Sequence, residues 1–489
     1  MGHHMETIFE AGFPLSKDPA GTLDLLKRLG VSRVKVFLAW NSVAPTPTAR
    51  KAPRFEATNP AAYPPGVWNQ YDAIIRAAKA RGVAIDMTLG APPLWAAGPG
   101  APAPGPYPQW KPSSSEFGAF VRAVGTRYSG AYKPAGATSP LPRVGFWAIW
   151  NEPNYGIDLA PQAVNQVEVA PAMYRQLLDA AWQALHQTGH GRDTILFGET
   201  APRGQTVGNH PGNFDGMVPL RFLRALYCVD AGFTRLNGAA AAARACPTTA
   251  SASASFRSAH PALFEATAFA AHPYPEGGLP PNQVIPGEPD YADLASLPSL
   301  ERTLDRLQRT YGSSRKLPIY STEFGYQTNP PERIARTTPP SIAAVYLNWS
   351  EYISWKDPRV ASYDQFLIQD PPAGNFATGI EFADGRQKAT YRAFRLPLFL
   401  PKTTVHKNDS VEVWGGVRPA RFAVLPQQAR LEFAAPGAPF HVIRTITVSD
   451  RDGYFDVTQK FTASGRVRLA WSYPHGPTVS SRAVDLTVR

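Results

Sequence analysis

The sequence predicts a closed (β/α)8 barrel over residues 7–400 and a β-sandwich over residues 401–489. Strand-like and helix-like segments alternate eight times before residue 400, which is typical of a parallel sheet with crossover helices. After Pro401 the segments are short, alternate apolar and polar residues, and are joined by turn signals, as in a sandwich. An open doubly wound sheet is the alternative to the barrel. It more often begins with a glycine-rich first turn, and none follows the first strand here.

Apolar periodicity and stop signals define the barrel elements in order. The first helix has apolar residues at 23, 25, 26 and 29 and ends at Gly30, and the second ends at Gly82. The fourth strand begins at Phe146 and should end at Pro153, because proline cannot donate to a ladder. The other predicted strands are 7–13, 34–40, 84–89, 194–198, 266–271, 318–322 and 361–368; the helices are 23–29, 71–80, 115–128, 172–186, 300–311, 342–354 and 391–394.

Composition excludes several classes of protein. Hydrophobic residues make up 44% of the 489 residues and aromatic residues 11%, so the chain can bury a large core. The net charge is +11, but lysine and arginine are scattered without a block of five, which disfavours a nucleic-acid groove. No apolar run reaches the ~18 residues that a membrane span needs. Residues 1–6 form an N-terminal tail that resembles a remnant of cloning, so His3 and His4 are left out of the chemistry.

The two cysteines, Cys228 and Cys246, flank a stretch rich in glycine and alanine. A disulfide between them would restrict the unfolded chain; two free buried thiols are the alternative. Their spacing, without paired histidines, is not that of a metal site, and we expect neither metal nor cofactor. The expected disulfide and the 18% charged residues favour a secreted bacterial protein whose signal peptide was removed in cloning.

Two glutamates follow predicted barrel strands. Glu152 lies in Trp150-Asn151-Glu152-Pro153 at the end of the fourth strand, and Glu323 lies in Ser321-Thr322-Glu323-Phe324-Gly325 at the end of the seventh. Parallel barrel strands present their carboxyl ends at one face, so the two side chains can meet across the barrel mouth. A pair of carboxyl groups in this position is what glycoside hydrolysis needs. Either glutamate alone would more simply be a strand-end acid in a surface ion pair.

These two runs resemble the acid/base and nucleophile signatures of the clan A retaining glycoside hydrolases, family 39 in particular and family 5 more distantly. The resemblance implies that Glu152 is the acid/base, that Glu323 is the nucleophile, and that Asn151 binds the sugar 2-hydroxyl. Family 5 carries an arginine on its second strand where this chain has Lys35, which favours family 39. Lys35 could equally point at the helix layer.

Further candidate residues lie at predicted strand ends. His272 and Tyr274 match a His-x-Tyr pair that in clan A contacts the substrate and orients the nucleophile. Aromatic rings stack on the apolar faces of sugars, although most tryptophans of a barrel lie in its core. Glu199 and Asp370 are carboxylates that could replace a member of the pair or bind sugar hydroxyls. The remaining candidates for substrate contact are Trp40, Asn41, Trp95, Trp150, Tyr155 and Tyr326.

The predicted function is therefore a retaining glycoside hydrolase that acts on a carbohydrate by double displacement. The resemblance to family 39 favours pentosides, of the β-xyloside or α-L-arabinofuranoside type. A transglycosylase on the same scaffold and a non-catalytic carbohydrate-binding barrel are the alternatives.

Overall fold

The computed structural model describes residues 4–205, 211–333, 337–418, 422–474 and 476–489. Eight strands form a closed barrel in the order β1-β10-β9-β8-β7-β4-β3-β2. The strand pairs β3–β4, β4–β7, β7–β8, β8–β9 and β1–β10 are parallel. The predicted closed barrel is confirmed, and the open sheet is wrong. Barrel strands are β1 Glu6–Glu10, β2 Arg33–Ala39, β3 Ala84–Gly90, β4 Phe146–Ile149, β7 Thr194–Thr200, β8 Ala268–Ala271, β9 Ile319–Ser321 and β10 Val360–Phe366, and β5 Ala163–Val164 and β6 Val167–Glu168 form a separate hairpin.

Helices connect the barrel strands. They are α1 Phe13–Lys17, α2 Pro19–Arg28, α3 Trp40–Val43, α4 Asn69–Arg81, α5 Ser114–Arg127, α6 Ala170–Gln187, α7 Pro219–Leu226, α8 Gly238–Ala242, α9 Ala250–Ala254, α10 Phe256–Ala259, α11 Ala262–Glu265, α12 Leu297–Thr310, α13 Pro340–Lys356 and α14 Ala389–Arg395, with 3-10 turns at Pro60–Ala62, Leu94–Ala96 and Leu294–Ser296. Within the described ranges, no helix is both long and apolar enough to cross a bilayer.

The C-terminal region forms two sheets. The smaller has the order β11-β13-β16, and the larger has the order β12-β19-β17-β14-β15, with β18 paired to β17. Val413 from the smaller sheet and Leu431 and Leu469 from the larger share one hydrophobic core, as expected for a sandwich. Trp414 and Trp471 are buried. The strands are β11 Leu398–Phe399, β12 Thr404–Val405, β13 Ser410–Gly416, β14 Gln427–Ala434, β15 His441–Val448, β16 Tyr454–Lys460, β17 Gly465–Ser472, β18 Thr478–Ser480 and β19 Val484–Val488.

Several predicted boundaries are corrected by the backbone. The fourth strand ends at Ile149 and not at Pro153, because Trp150 has a left-handed φ of 73° that breaks the extended run. The first strand ends at Glu10 and not at residue 13, where a short helix, Phe13–Lys17, begins instead. The long segment 203–262 between β7 and β8, which we call the excursion, contains α7 to α10 and the start of α11. It also contains the disulfide between Cys228 and Cys246, which confirms that prediction and rules out free thiols.

The chain divides into two compact units. We call Lys35–Tyr274 with Val284–Thr322 the central unit, and Met1–Val34, Pro275–Gln283 and Glu323–Arg489 the terminal unit. In the terminal unit, Met5 is buried, His4 contacts Asp452, and Glu6 pairs with Arg33 at 2.8 Å. Residues 4–6 are therefore packed on the fold, whereas His3 lies outside the described residues. The domain boundary near residue 401 stays a prediction.

Candidate active site

Glu152 lies in a strained turn directly after β4. Trp150 and Glu152 have left-handed φ values of 73° and 35°, which side chains with a Cβ rarely adopt and which cost ~1–3 kcal/mol each. The Trp150 amide donates to Leu89 O at 2.8 Å, and the Glu152 carbonyl accepts from the Tyr155 amide at 2.8 Å. These bonds hold the turn on both sides. The Glu152 side chain keeps 19% of its surface exposed, so its carboxyl group is accessible.

A bulge in β7 turns Glu199 inwards. The pairing of β7 with β8 shifts register between Gly198 and Thr200, and such bulges re-aim side chains near active sites. Gly198 has a φ of 110°, and a Cβ there would lie 2.5 Å from Ala270 O, so the bulge needs glycine. Glu199 itself has a φ of 47° and is fully buried. The bulge therefore places a carboxylate inside the central unit.

Four side chains of the central unit form one hydrogen-bonded chain. Lys35 Nζ lies 2.9 Å from Glu199 Oε2, and His272 Nε2 lies 3.0 Å from the same oxygen. The other ring nitrogen, His272 Nδ1, lies 3.0 Å from Glu152 Oε1. Lys35, Glu199 and His272 are almost completely buried. The chain thus runs from a buried cation to an accessible carboxyl group, and we call it the relay.

The charge of Glu199 determines which group donates the hydrogen bond at the buried end of the relay. Burial would raise the pKa of Glu199, but the charge of Lys35 and the hydrogen bond from His272 outweigh it and hold that pKa well below its usual value. An ionised Glu199 accepts a hydrogen bond, so His272 donates to it from Nε2. The other ring nitrogen, Nδ1, lies within hydrogen-bond distance of Glu152 Oε1; it accepts there in the neutral ring and donates in the protonated ring. Lys35 and Glu199 balance each other's charge, and His272 connects this pair to Glu152.

Tyr174 of α6 ties the two strand ends together. Its phenol donates to Ile149 O at 3.1 Å and accepts from the Gly198 amide at 2.8 Å. The side chain is fully buried, and burial raises the pKa of its phenol, so it stays a neutral donor. Tyr174 therefore fixes the end of β4, which precedes Glu152, against the bulge that carries Glu199.

Glu323 begins the last segment of the terminal unit, two residues after the end of β9, and is half-buried. The residue that follows it, Phe324, donates its amide to Asp364 Oδ1 at 3.1 Å, and its carbonyl accepts from the Phe366 amide at 2.7 Å. Asp364 is buried on β10. A Cβ at Gly325 would lie 3.0 Å from Thr378 Cβ, so the chain runs close to its neighbour there. The backbone after Glu323 is thus anchored to β10.

The other polar candidates are distributed as follows. Asn151 is half-buried, and its Nδ2 lies 3.4 Å from Asp158 Oδ2. Tyr274 is buried, and its carbonyl accepts from Arg203 at 2.7 Å. Asp370 forms a buried ion pair with Lys388 at 2.6 Å, so its carboxylate already has a partner. Lys35, whose direction the sequence left open, points at Glu199 and not at the helix layer.

The aromatic candidates belong mainly to the core. Trp40 and Trp150 are only 1% exposed. Trp40 packs edge-on against Trp95 with ring centroids 5.4 Å apart, and Trp150 packs against Phe117 at 5.1 Å. Tyr326 is buried, and its phenol lies 3.4 Å from Leu279 O. The burial of Trp40 and Trp150 favours the core alternative for these rings, whereas Asn41 and Tyr155 are exposed.

Sequence reasoning missed Tyr174 and Asp364 as positioning residues. Tyr174 lies within an apolar helix face, where a tyrosine carries no signal of its own. Asp364 has a signal in the sequence, because an acidic residue inside a buried barrel strand is unusual. Asp86 on β3 is a second fully buried acid of this kind.

Solved structures similar to this chain include several glycoside hydrolases. A glucosidase from Croceicoccus marinus has 11% identity, 94% coverage of both chains and a TM-score of 0.48. A family 1 β-glucosidase from Thermotoga maritima has 13% identity, 78% coverage of this chain and 92% of its own, and a TM-score of 0.46. An endo-β-1,4-mannanase from Thermotoga petrophila has 12% identity, coverage of 100% and 98%, and a TM-score of 0.42. No family model and no curated protein sequence matches the chain. These similarities are too distant to assign an activity.

Proposed function

We propose that the chain is a retaining glycoside hydrolase with Glu152 as acid/base and Glu323 as nucleophile. The observation that carries the proposal is the relay, in which a buried Lys35–Glu199 pair orients His272 and His272 contacts the accessible carboxyl of Glu152. A carboxyl group held this way at the end of a barrel strand is equipped to give and take a proton. Glu323 follows another strand of the same closed barrel, and we propose that it faces Glu152 across the mouth.

The proposed reaction has two displacements. Glu323 attacks the anomeric carbon while Glu152 protonates the departing glycosidic oxygen, so one C–O bond breaks as the glycosyl–Glu323 ester forms. Glu152 then removes a proton from water, the water oxygen attacks the anomeric carbon, and the ester bond breaks. His272 Nδ1, 3.0 Å from Glu152 Oε1, can accept from the protonated carboxyl or donate to the ionised one, so it stays a partner of Glu152 in both steps. No cofactor takes part in this scheme.

The substrate is proposed to be a carbohydrate, and the choice of sugar rests on the sequence resemblance alone. Similarity to family 39 points to a pentoside of the β-xyloside or α-L-arabinofuranoside type. Asn151 is the proposed contact of the sugar 2-hydroxyl, and secretion is proposed from the disulfide. A transglycosylase would share the first displacement and differ only in the acceptor.

A panel of aryl glycosides tests the proposal directly. Glu152→Ala and Glu323→Ala should each keep the fold by circular dichroism and lower kcat by about 100-fold or more, because each removes a group that reacts. Glu56→Ala, at an exposed loop position, is the matched control and should keep full activity. Wild-type rates in Glu323→Ala, or binding of every sugar without turnover, would contradict hydrolysis.

The stereochemical course tests the mechanism separately from the activity. Proton NMR of the first product should show the anomer of the substrate, as a double displacement requires. An experimental structure should place the Glu152 and Glu323 carboxyl groups ~5–5.5 Å apart, whereas ~6.5–9.5 Å and an inverted product would indicate single displacement.

A further inference from the structure

The terminal unit contains a cavity of about 640 Å³ outside the residues of the proposed active site. It lies along the first turns of α13 and along α14, and its lining also includes the segment that leads into β19. Three arginines line it: Arg392 and Arg395 on α14, and Arg482 before β19. Three cations around one cavity repel each other, so an arrangement of this kind calls for an anion.

Arg482 is the cation held most firmly by the protein. Its Nε donates to Asn348 Oδ1 at 2.8 Å, and its Nη2 donates to Leu398 O at 2.9 Å. Both acceptors are neutral, so they orient the guanidinium group without cancelling its charge. Burial lowers the pKa of Arg482 to about 10, and no carboxylate counteracts that shift. A desolvated charge without a counter-charge is costly, and a bound anion would offset the cost.

In the described part of the chain, the other two arginines also have no carboxylate partner. Arg395 Nε is buried without a hydrogen-bond acceptor, and its guanidinium lies 5.9 Å from the centre of the Tyr391 ring. Arg392 is exposed at the cavity edge. Among the residues that the structure describes, no acid forms an ion pair with any of the three arginines. By contrast, Lys388, which also lines the cavity, is neutralised by Asp370 at 2.6 Å.

Helix α13 adds to the positive potential. Ser341 lies in its first turn and lines the cavity. The N-terminal part of this 17-residue helix carries a partial positive charge, although Pro340 has no amide hydrogen and the Ile342 and Ala343 amides donate to Pro339 O. Its contribution is therefore minor, and the charge around the cavity comes from the three arginines.

We propose that this cavity binds an oxyanion, a phosphate or sulfate group carried as an ester on a small organic molecule. Guanidinium groups match the oxygens of such groups with paired hydrogen bonds. The cavity falls within the ~300–1,000 Å³ of small-molecule sites and is larger than a bare ion needs. This site is independent of the proposed glycosidase activity, because none of the relay residues lines it.

Calorimetric titration at low ionic strength tests the site. The probes are glucose 6-phosphate, glucose 6-sulfate, inorganic phosphate and inorganic sulfate, with glucose as the neutral control. We expect one-to-one binding of the anions and none of glucose. Arg392→Met/Arg395→Met should weaken binding by about ten-fold or more, because charge-assisted hydrogen bonds are lost. Arg386→Met is the matched control, since Arg386 pairs with Asp384 and does not line the cavity.

The outcomes separate the sources of the anion. Tighter binding of the esters supports an organic ligand, and equal binding of the inorganic ions supports the oxyanion site but assigns it to a free ion. Absence of anion binding by the folded wild type, or unchanged affinity in the double variant, would overturn the proposal. If the double variant fails to fold, Arg392→Met alone decides, because that side chain is exposed and its loss should leave the fold intact.

Discussion

Glu199 is the residue on which the proposed site depends most. Its carboxylate is buried, stays ionised beside Lys35 and holds His272 by Nε2. Since it does not touch the proposed reacting atoms, it acts as a positioning residue for Glu152. Its two effects, on the proton of His272 and on the folded state, can be measured separately.

Glu199→Gln should change both catalysis and the pH dependence of stability. The amide cannot stabilise positive charge on His272, so we expect kcat to fall about ten-fold or more and its pH profile to shift, with KM nearly unchanged. The folded-state pKa of Glu199 is lowered, so its contribution to stability is present above the unfolded value of ~4.3 and is lost as pH falls through the folded value. Urea unfolding between pH 7 and pH 3 should therefore show a smaller loss of stability in Glu199→Gln than in wild type.

Glu168→Gln provides the matched control. Glu168 is also a buried carboxylate with a lowered pKa: burial opposes the shift, and hydrogen bonds and the charges of Arg221 and Arg244 cause it. Its replacement should alter stability with pH in the same direction and leave the kcat profile unchanged. If the two variants have the same kcat profile, Glu199 has no positioning role.

The sequence predicted residues that belong to short motifs better than residues that act through packing. Trp150-Asn151-Glu152-Pro153 and the run around Glu323 could be recognised as strand-end carboxylates because their neighbours form a pattern. The direction of Lys35 could not be predicted, because it depends on the β7 bulge, and a bulge at Gly198 follows from a close approach to Ala270 that only the folded chain contains. Tyr174 was missed for the same reason, since its two backbone partners are distant in sequence.

At the scale of elements, barrel order was more predictable than element ends. Eight apolar strands between amphipathic helices specify a parallel barrel almost by themselves. The ends depend on single backbone conformations, such as the left-handed Trp150 that terminates β4 early. The short helices of the excursion 203–262 were not predicted. Among them α7 buries an apolar face, whereas α8 buries only Ala241 and α9 buries no residue, and the disulfide links the end of α7 to the end of α8.

Removal of the disulfide should destabilise this excursion. Cys228 follows α7 and Cys246 follows α8, 18 residues apart, and a cross-link of that span restricts the unfolded chain by ~3 kcal/mol. Cys228→Ser/Cys246→Ser should therefore lower the free energy of urea unfolding by about that amount. Reductant should move the wild-type transition to that of the variant and leave the variant unchanged. A variant with the wild-type midpoint would show that packing alone holds the excursion.

At the scale of the whole molecule, the C-terminal sheets complete the environment of α13 within the terminal unit. Glu351 on α13 is fully buried and contacts both Arg418 and the Tyr454 phenol, the latter at 2.8 Å. On the same helix, Lys356 pairs with Glu412 at 2.8 Å and with Asp456 at 3.0 Å. All these partners come from residues beyond 401, so the barrel helix and the C-terminal sheets share a buried ion pair at Glu351 and a more exposed one at Lys356.

A chain cut after residue 400 should consequently not fold stably. It would remove both partners of Glu351 and expose apolar surface of α13. In the full chain, where Glu351 stays buried, loss of its cation alone should cost ~3–5 kcal/mol. Arg418→Met in the full chain isolates that cost, and Glu351→Met/Arg418→Met should recover most of it, because the unpaired charge is gone. Urea unfolding of the variants and size-exclusion chromatography of the fragment measure both effects. A fragment of residues 1–400 that is monomeric and melts at the temperature of the full chain would show instead that the barrel is an independent domain.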